Sequence, residues 1–319
     1  TDYSIKVASL TFIPLGADMD ASVYKAQAYD QSSYFIKLKR GQHHAIGATI
    51  QLLLHDAGIQ HIISPIRTNH GQPTHHIDHF TLIVYPFIEG QNGFSRDLTN
   101  DQWITLGKAL RQVHEFHLLT HIKNHIKRES WGPQWREAIR SMYMHIDAKQ
   151  HAPDQIASQL ITFMQEQRDT IQRLVDQAEQ LGHTIQKQSP ELVLCHSDIH
   201  AGNVLIANDG GLYIVDWDQP IMAPKERDLM FIGGGVANVW NNPQQEALFY
   251  QGYGKTEINR ETLTYYRYER IVEDIAEYSQ QLLLTPNSGE DRAIMYKQLI
   301  DMFEPRGVVD IAFKTNTDL

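Results

Sequence analysis

The sequence predicts an α+β fold in two lobes: a small β-rich N-lobe with one helix over residues 1–88, and a larger, mostly helical C-lobe over residues 89–319. Three observations carry this expectation. At 319 residues the chain exceeds one ordinary hydrophobic core. Short apolar runs bounded by turn residues crowd into its first part. After Glu89-Gly90 the apolar spacing changes to that of helices.

Ile5–Ile13, Ser22–Tyr29 and Ser33–Lys39 read as strands; in the last, Tyr34, Ile36 and Leu38 alternate with Phe35, Lys37 and Lys39. A helix is expected over about His43–Ala57, closed by Gly58. Two further strands are expected at Ile62–Thr68 and Phe80–Phe87. Thr99 and Gln102 form a capping-box pattern ahead of Trp103, Leu106, Leu110 and Val113, which recur at helical spacing. One long helix is expected over Gln155–Leu181, closed by Gly182, and another over Glu261–Leu284.

Composition narrows the function classes. Hydrophobic residues make up 42% and charged residues 21%, a globular balance. No apolar run approaches the about 18 residues that span a bilayer, so no membrane role is expected. Cys195 is the single cysteine, so no internal disulfide is possible, and a reducing cytoplasmic setting is expected. The lack of a Lys/Arg-rich run argues against a nucleic-acid partner, and the net charge of −10 suits a cationic small molecule or serves solubility alone; a monomer is expected.

The chemistry concentrates in residues 192–218. Leu192–Cys195 reads as a strand, His196 to Asn203 as a polar loop, and Val204–Ala207 and Leu212–Val215 as a hairpin around Asn208-Asp209-Gly210-Gly211. With Asp209-Gly210 as a two-residue turn, Asn203 and Asp216 lie directly opposite, their Cβ atoms about 4.5–5.5 Å apart. An amide oxygen and a carboxylate so placed can grip Mg²⁺ beside a nucleotide's phosphates. Asp198, on the loop just before them, can orient a hydroxyl and take its proton. That is the layout of a phosphoryl-transfer centre, where positioning and charge neutralisation carry the rate. His196 and His200 could be read as zinc ligands only on a helix; the preceding strand and Ala201-Gly202 argue against one, so both are expected to brace the loop.

His196-Ser197-Asp198-Ile199-His200-Ala201-Gly202-Asn203-Val204-Leu205, with Ile214-Val215-Asp216-Trp217-Asp218, resembles the signature of the aminoglycoside phosphotransferase family. The spacing from Asp198 to Asn203 also matches the catalytic loop of protein kinases. The resemblance implies a bilobal protein-kinase-like fold with a nucleotide-binding sheet in the N-lobe. The C-lobe would carry the catalytic loop, the metal-binding hairpin and the substrate pocket. It implies Asp198 as catalytic base, Asn203 and Asp216 as ligands of Mg²⁺, and ATP or GTP as donor. Tyr34 to Lys39 resembles the strand carrying the phosphate lysine, here Lys37. Gly16 lies where the nucleotide-covering loop is expected, and Tyr85-Pro86-Phe87-Ile88 where the hinge would meet adenine, so Gly16, Tyr85 and Phe87 join the expected nucleotide site.

Further blocks, among them Asn92-Gly93-Phe94, Ala223 to Gly235 and Glu269 to Ala276, resemble the branch of the family that acts on spectinomycin. The implied reaction is O-phosphorylation of an aminocyclitol or aminoglycoside antibiotic, conferring resistance. Candidate contacts for such a cationic acceptor are Asp218, Asp228, Trp240, Glu273, Asp274 and Glu277. Two alternatives stay open. One is a metabolic kinase for choline, ethanolamine, methylthioribose or homoserine; the other is a nucleotide-binding sensor without turnover. One departure motivates the second: kinases pair the strand lysine with a helix glutamate, but no acidic residue occurs from Arg40 to Leu54, and Ala45 stands where the glutamate is expected. That leaves Lys37 to be oriented by phosphate alone, or by His44 or Gln51.

Overall fold

The alternating runs near the start of the chain form an antiparallel sheet. In the computed structural model, which describes residues 2–14, 21–41, 45–148, 152–285 and 291–317, its strands are β1 (Val7–Ile13), β2 (Ala21–Ala28), β3 (Ser33–Arg40), β4 (His75–Ile77) and β5 (Phe80–Pro86). Their order is β1-β2-β3-β5-β4. Helix α1 (Ala45–Asp56) follows β3 and ends at Gly58, whose φ of +89° suits the left-handed position. Ile50 and Leu54 of α1 and Ile83 and Val84 of β5 are buried. Gly16 and His44 lie outside the described residues.

The stretch Ile62–Thr68, expected as a strand, is not one. Ile62 makes an isolated bridge to Ile214, and the Ile66 N–H reaches Val84 O at 2.7 Å. Pro65 has no N–H to give a ladder, and the Thr68 N–H is turned to Gln72 O. The short β4 takes the edge of the sheet instead.

Two smaller sheets follow. One has the order β10 (Leu212–Ile214), β9 (Val204–Ala207), β6 (Gly90–Asn92); the other has the order β7 (Lys127–Arg128), β11 (Ile221–Ala223), β8 (Val193–Cys195). Helix α2 (Asn100–His114) has both halves of the capping box, Thr99 accepting from the Gln102 N–H and Gln102 from the Thr99 N–H. The short α3 (Thr120–Lys123) precedes β7.

Among helices, α4 (Gln134–Asp147), α5 (Gln155–Glu166), α6 (Arg168–Gln188), the short α7 (Glu226–Leu229), α9 (Arg260–Leu284), α10 (Asp291–Asp301) and α11 (Val308–Thr317) belong together. The remaining helix, α8 (Pro243–Tyr253), leads from Asn242 to Gly254. The central α9 packs against α4, α5, α6, α7, α10 and α11. The single helix expected over Gln155–Leu181 is two. It breaks at Gln167 (φ −94°, ψ 9°), which closes α5 and opens α6. Tyr143 OH donates to Met164 O at 3.0 Å near the end of α5, and Arg168 pairs with Asp147 at 2.5 Å at the start of α6. Nor does Gly182 close a helix; α6 runs on to Gln188 and ends at Ser189 in the left-handed region.

The chain divides into two compact units. The first comprises Thr1–Arg128, Val193–Met222 and Leu248–Gly254; the second comprises Glu129–Leu192, Ala223–Ala247 and Lys255–Leu319. The first is a mixed sheet-and-helix unit, the second almost wholly helical. Among the described residues, no helix is long and apolar enough to cross a membrane.

Candidate active site

Three neighbouring segments of the first unit build the site: β3, the loop from β8 to β9, and the chain leaving β10. The β9–β10 hairpin sets the frame. Its pairs are Ile206 with Leu212, Leu205 with Tyr213 and Val204 with Ile214. The expected two-residue turn is therefore wrong by one residue. Asn208-Asp209-Gly210 form a three-residue loop with Gly210 at φ +91°, closed by the Ala207 N–H on Gly211 O at 2.8 Å. Asn203 consequently lies opposite Val215, whose N–H donates to Asn203 O at 2.9 Å, and not opposite Asp216. Asp216 stands one residue beyond the pair, at φ +64°, where the chain turns out of the strand. A non-glycine residue held there is a strained position of the kind found at functional sites.

Asp198 sits in a web of short contacts. The Asn203 amide donates to Asp198 O at 2.8 Å and to its Oδ2 at 3.2 Å. That orientation leaves Asn203 Oδ1 turned away as an oxygen acceptor. The Asp198 N–H donates to His196 Nδ1 at 3.2 Å, and the other nitrogen of the same ring, Nε2, donates to Val215 O at 2.8 Å. His196 thus ties the loop to the end of β10. It is buried and meets Trp217 edge-on. His200 Nδ1 accepts from the Gly202 N–H at 3.0 Å, capping the 3₁₀ turn Ala201–Asn203, while its Nε2 lies 3.5 Å from Asp198 Oδ2. Phe94 stacks on the His200 ring, and the Gly93 N–H reaches Ala201 O at 2.8 Å.

Lys37 meets two carboxylates at once. Its Nζ lies 2.7 Å from Asp216 Oδ1 and 2.7 Å from Asp218 Oδ2. Lys39 Nζ lies 2.5 Å from the same Asp218 oxygen. Burial works against the Lys37 ammonium, but the two aspartates outweigh it and hold its pKa above the usual lysine range. Burial likewise pushes Asp218 up, and Lys37 and Lys39 outweigh that effect, holding it at about 2. Gln51 does not meet Lys37: it accepts from Tyr85 OH at 2.7 Å and donates to Ile63 O. Burial and the nearby Asp218 and Asp216 charges raise the pKa of Tyr85. The Phe87 N–H is committed to Ser33 O at 3.0 Å, and Lys25 lies over the Phe87 ring.

The donor set fits Mg²⁺. Asp216 and the Asn203 amide supply hard oxygens, the kind this ion selects. The Lys37 ammonium already rests against Asp216, so a cation is accepted at that carboxylate.

The acidic candidates of the second unit are differently placed. Asp228 is fully buried in α7. Trp240 is buried at φ +59°, its carbonyl accepting from the Gly233 N–H. Asp274 pairs with Arg270 at 2.8 Å, and Glu277 is exposed. Glu273 Oε2 is buried without a hydrogen-bond partner, 3.9 Å from Arg227 Nη2. Around it lies a polar cluster that sequence reasoning missed. Glu129 Oε2 accepts from Tyr266 OH at 3.1 Å, Arg136 pairs with Glu269, and the Arg227 guanidinium lies 5.5 Å from the Tyr266 ring. Burial pushes Glu269 up to about 7 against the pull of Arg136. These residues come from separated segments, so no local motif announces them. Lys39 was missed too, although its spacing of two from Lys37 on a strand puts both on one face.

Comparison with known proteins gives the family and the fold. The model of the APH phosphotransferase enzyme family matches residues 11–263. The solved structure of spectinomycin phosphotransferase, APH(9)-Ia, in complex with ADP and spectinomycin is 46% identical, with a TM-score of 0.91 over 99% of this chain and 95% of that one. The AMP-bound complex of the same enzyme gives 44% identity and a TM-score of 0.86 over 98% of this chain and 95% of that one. Protein StrN of Streptomyces griseus is 24% identical over 310 residues, 95% of this chain and 89% of that protein. The fold is kinase-like, a β-sheet region followed by a helical one.

Proposed function

The chain belongs to the phosphotransferase enzyme family and is a small-molecule kinase, and from that premise we propose that it moves the γ-phosphoryl group of ATP to a hydroxyl of a cationic aminocyclitol antibiotic, spectinomycin first. The observation that carries the reading is the joining of Asp198, Asn203, Asp216 and Lys37 within one unit. Asp198, held from three sides by Asn203, His196 and His200, receives the hydroxyl proton. Asn203 and Asp216 hold Mg²⁺, which neutralises phosphate charge when bound, and Lys37 receives a phosphate oxygen. Pro86 O and the Ile88 N–H are left to meet adenine, because the Phe87 N–H is engaged with Ser33. GTP would meet the same backbone groups differently, and ATP is our reading.

For the acceptor, the buried oxygen of Glu273, which accepts no hydrogen bond and meets Arg227 only at 3.9 Å, is the best anchor for an ammonium group. The similarity to a spectinomycin-bound relative supports spectinomycin as acceptor and resistance as its consequence. A lobe division near residue 88, a monomeric chain and a cytoplasmic setting belong to the same proposal. The test is ADP release with MgATP against spectinomycin, a kanamycin-type aminoglycoside, choline and methylthioribose, with mass spectrometry of each product. Phosphorylated spectinomycin is the expected result. Phosphate on choline or methylthioribose, with spectinomycin untouched, would replace the antibiotic reading by a metabolic one.

A further inference from the structure

We infer that Asp218 is the positioning residue for Lys37, doing the work that other kinases give to a helix glutamate, and that Lys39 fixes Asp218 in turn. The inference rests on the kinase reading above. In protein kinases the lysine on the strand is held by a glutamate on the next helix. Here α1 carries no acidic residue before Asp56, and Asp56 pairs with Arg67 at 2.5 Å. What α1 brings to the site is instead closeness. A Cβ on Gly47 would lie 2.0 Å from Trp217 O and 3.5 Å from the Asp218 Cα. The helix therefore presses directly on the backbone that bears Asp218. Trp217, between the two aspartates, is buried and donates its indole N–H to Ile214 O at 3.1 Å. The segment is thus braced from both sides.

The charges are arranged to match. Lys37 and Lys39, two apart on β3, converge on one oxygen, Asp218 Oδ2. Lys37 also touches Asp216 Oδ1. A divalent cation and the Lys37 ammonium must compete for the Asp216 carboxylate. When the cation takes Asp216, Asp218 keeps Lys37 in place for a phosphate oxygen. Without the Asp218 charge, Lys37 falls back on Asp216 and opposes the cation there. Asp218 therefore matters more for metal-bound nucleotide than for nucleotide alone.

The experiment is calorimetric titration with ATP, once in Mg²⁺ and once in EDTA, of the wild type, Asp218→Asn, Asp218→Glu, Lys37→Met and the double variant Lys37→Met/Asp218→Asn. Thermal unfolding records that each protein is folded at the titration temperature. Asp218→Asn is expected to raise the MgATP Kd by about 10- to 100-fold, the effect of one charged hydrogen bond, and the EDTA value by less. Asp218→Glu should recover part of the loss. In the Lys37→Met background, Asp218→Asn should change little, because its route runs through Lys37. Should Asp218→Asn not fold, Lys39→Met tests the same route, with an expected MgATP loss of about threefold that vanishes in the Lys37→Met background. Unchanged MgATP affinity in Asp218→Asn, a full loss persisting without Lys37, or equal losses with and without metal would each overturn the inference. Failure of the wild type itself to bind MgATP would instead overturn the kinase reading on which it stands.

Discussion

Asp198 has the surroundings a general base needs: a carboxylate oriented by the Asn203 amide, with a histidine ring on each side of the loop. Replacing it by asparagine keeps the shape and removes the basic oxygen. Asp198→Asn should lower kcat by about a thousandfold while leaving the MgATP Kd within about threefold, since the lost interaction belongs to the transition state. Calorimetry beside a steady-state assay separates the two. Asp216→Asn should do the reverse first, weakening MgATP before any effect on turnover is resolved. The pair Lys37–Asp218 carries a pH signature. The Asp218 carboxyl is held at about 2 against an ordinary value of 3.8, so its contribution is present above pH about 4 and is lost as pH falls through about 2. Urea unfolding without nucleotide should show wild type more stable than Asp218→Asn by about 2 kcal/mol at neutral pH, the gap closing toward pH 2. A gap that stays constant down to pH 2 would remove the charge from that account. At this scale the spacing of Asp198, Asn203 and Asp216 was readable because one loop and one hairpin join them. The partner of Lys37 was not, because it lies 179 and 181 residues away, across a fold no local pattern reveals.

Elements were legible where their signals are local. The capping box of α2, the glycine after α1 and the strand periodicity of β3 each rest on a few adjacent residues. The hairpin register was not, because Asp209-Gly210 suits both a two-residue turn and the end of a three-residue one. Only the pairing of Ala207 with Gly211 separates them. The consequence is functional: the one-residue shift carries Asp216 past the ladder, into a left-handed turn from which it meets Lys37. The split of the long helix at Gln167 was hidden for a similar reason, since helical spacing continues through it. Gly47 carries the sharpest prediction here. In an exposed helix, Gly→Ala stabilises by about 1 kcal/mol. In α1 the added methyl would fall 2.0 Å from Trp217 O, so Gly47→Ala should instead destabilise by about 1–3 kcal/mol. It should also weaken MgATP, because the displaced backbone carries Asp216 and Asp218. An urea midpoint equal to or above wild type would mean α1 does not brace that segment.

Across the whole chain, the division into a mixed unit and a helical unit separates the two kinds of chemistry. Lys37, Asp198, Asn203, Asp216 and Asp218 all belong to the first unit, whereas Glu129, Glu269 and Glu273 belong to the second. The first set suits a nucleotide's phosphates, through lysines and a carboxylate whose oxygens fit a divalent cation. The second set offers carboxylates, one of them with a buried oxygen lacking a hydrogen-bond partner, and suits an ammonium group. This assignment predicts separate footprints in hydrogen exchange. A non-hydrolysable ATP analogue with Mg²⁺ should slow exchange over residues 33–40 and 196–218. At about a hundred times its Kd, ligand linkage amounts to about 2.7 kcal/mol, enough to slow any amide that exchanges only through opening of the site. Spectinomycin should slow exchange over residues 129–136 and 260–277, and Glu273→Gln should remove that second footprint while leaving the first. If spectinomycin protects only amides of the first unit, the acceptor anchor must be sought away from Glu273. If Glu273→Gln binds spectinomycin as wild type does, the Glu273 oxygen that accepts no hydrogen bond is there to balance the buried Arg227, with which it forms an ion pair at 3.9 Å.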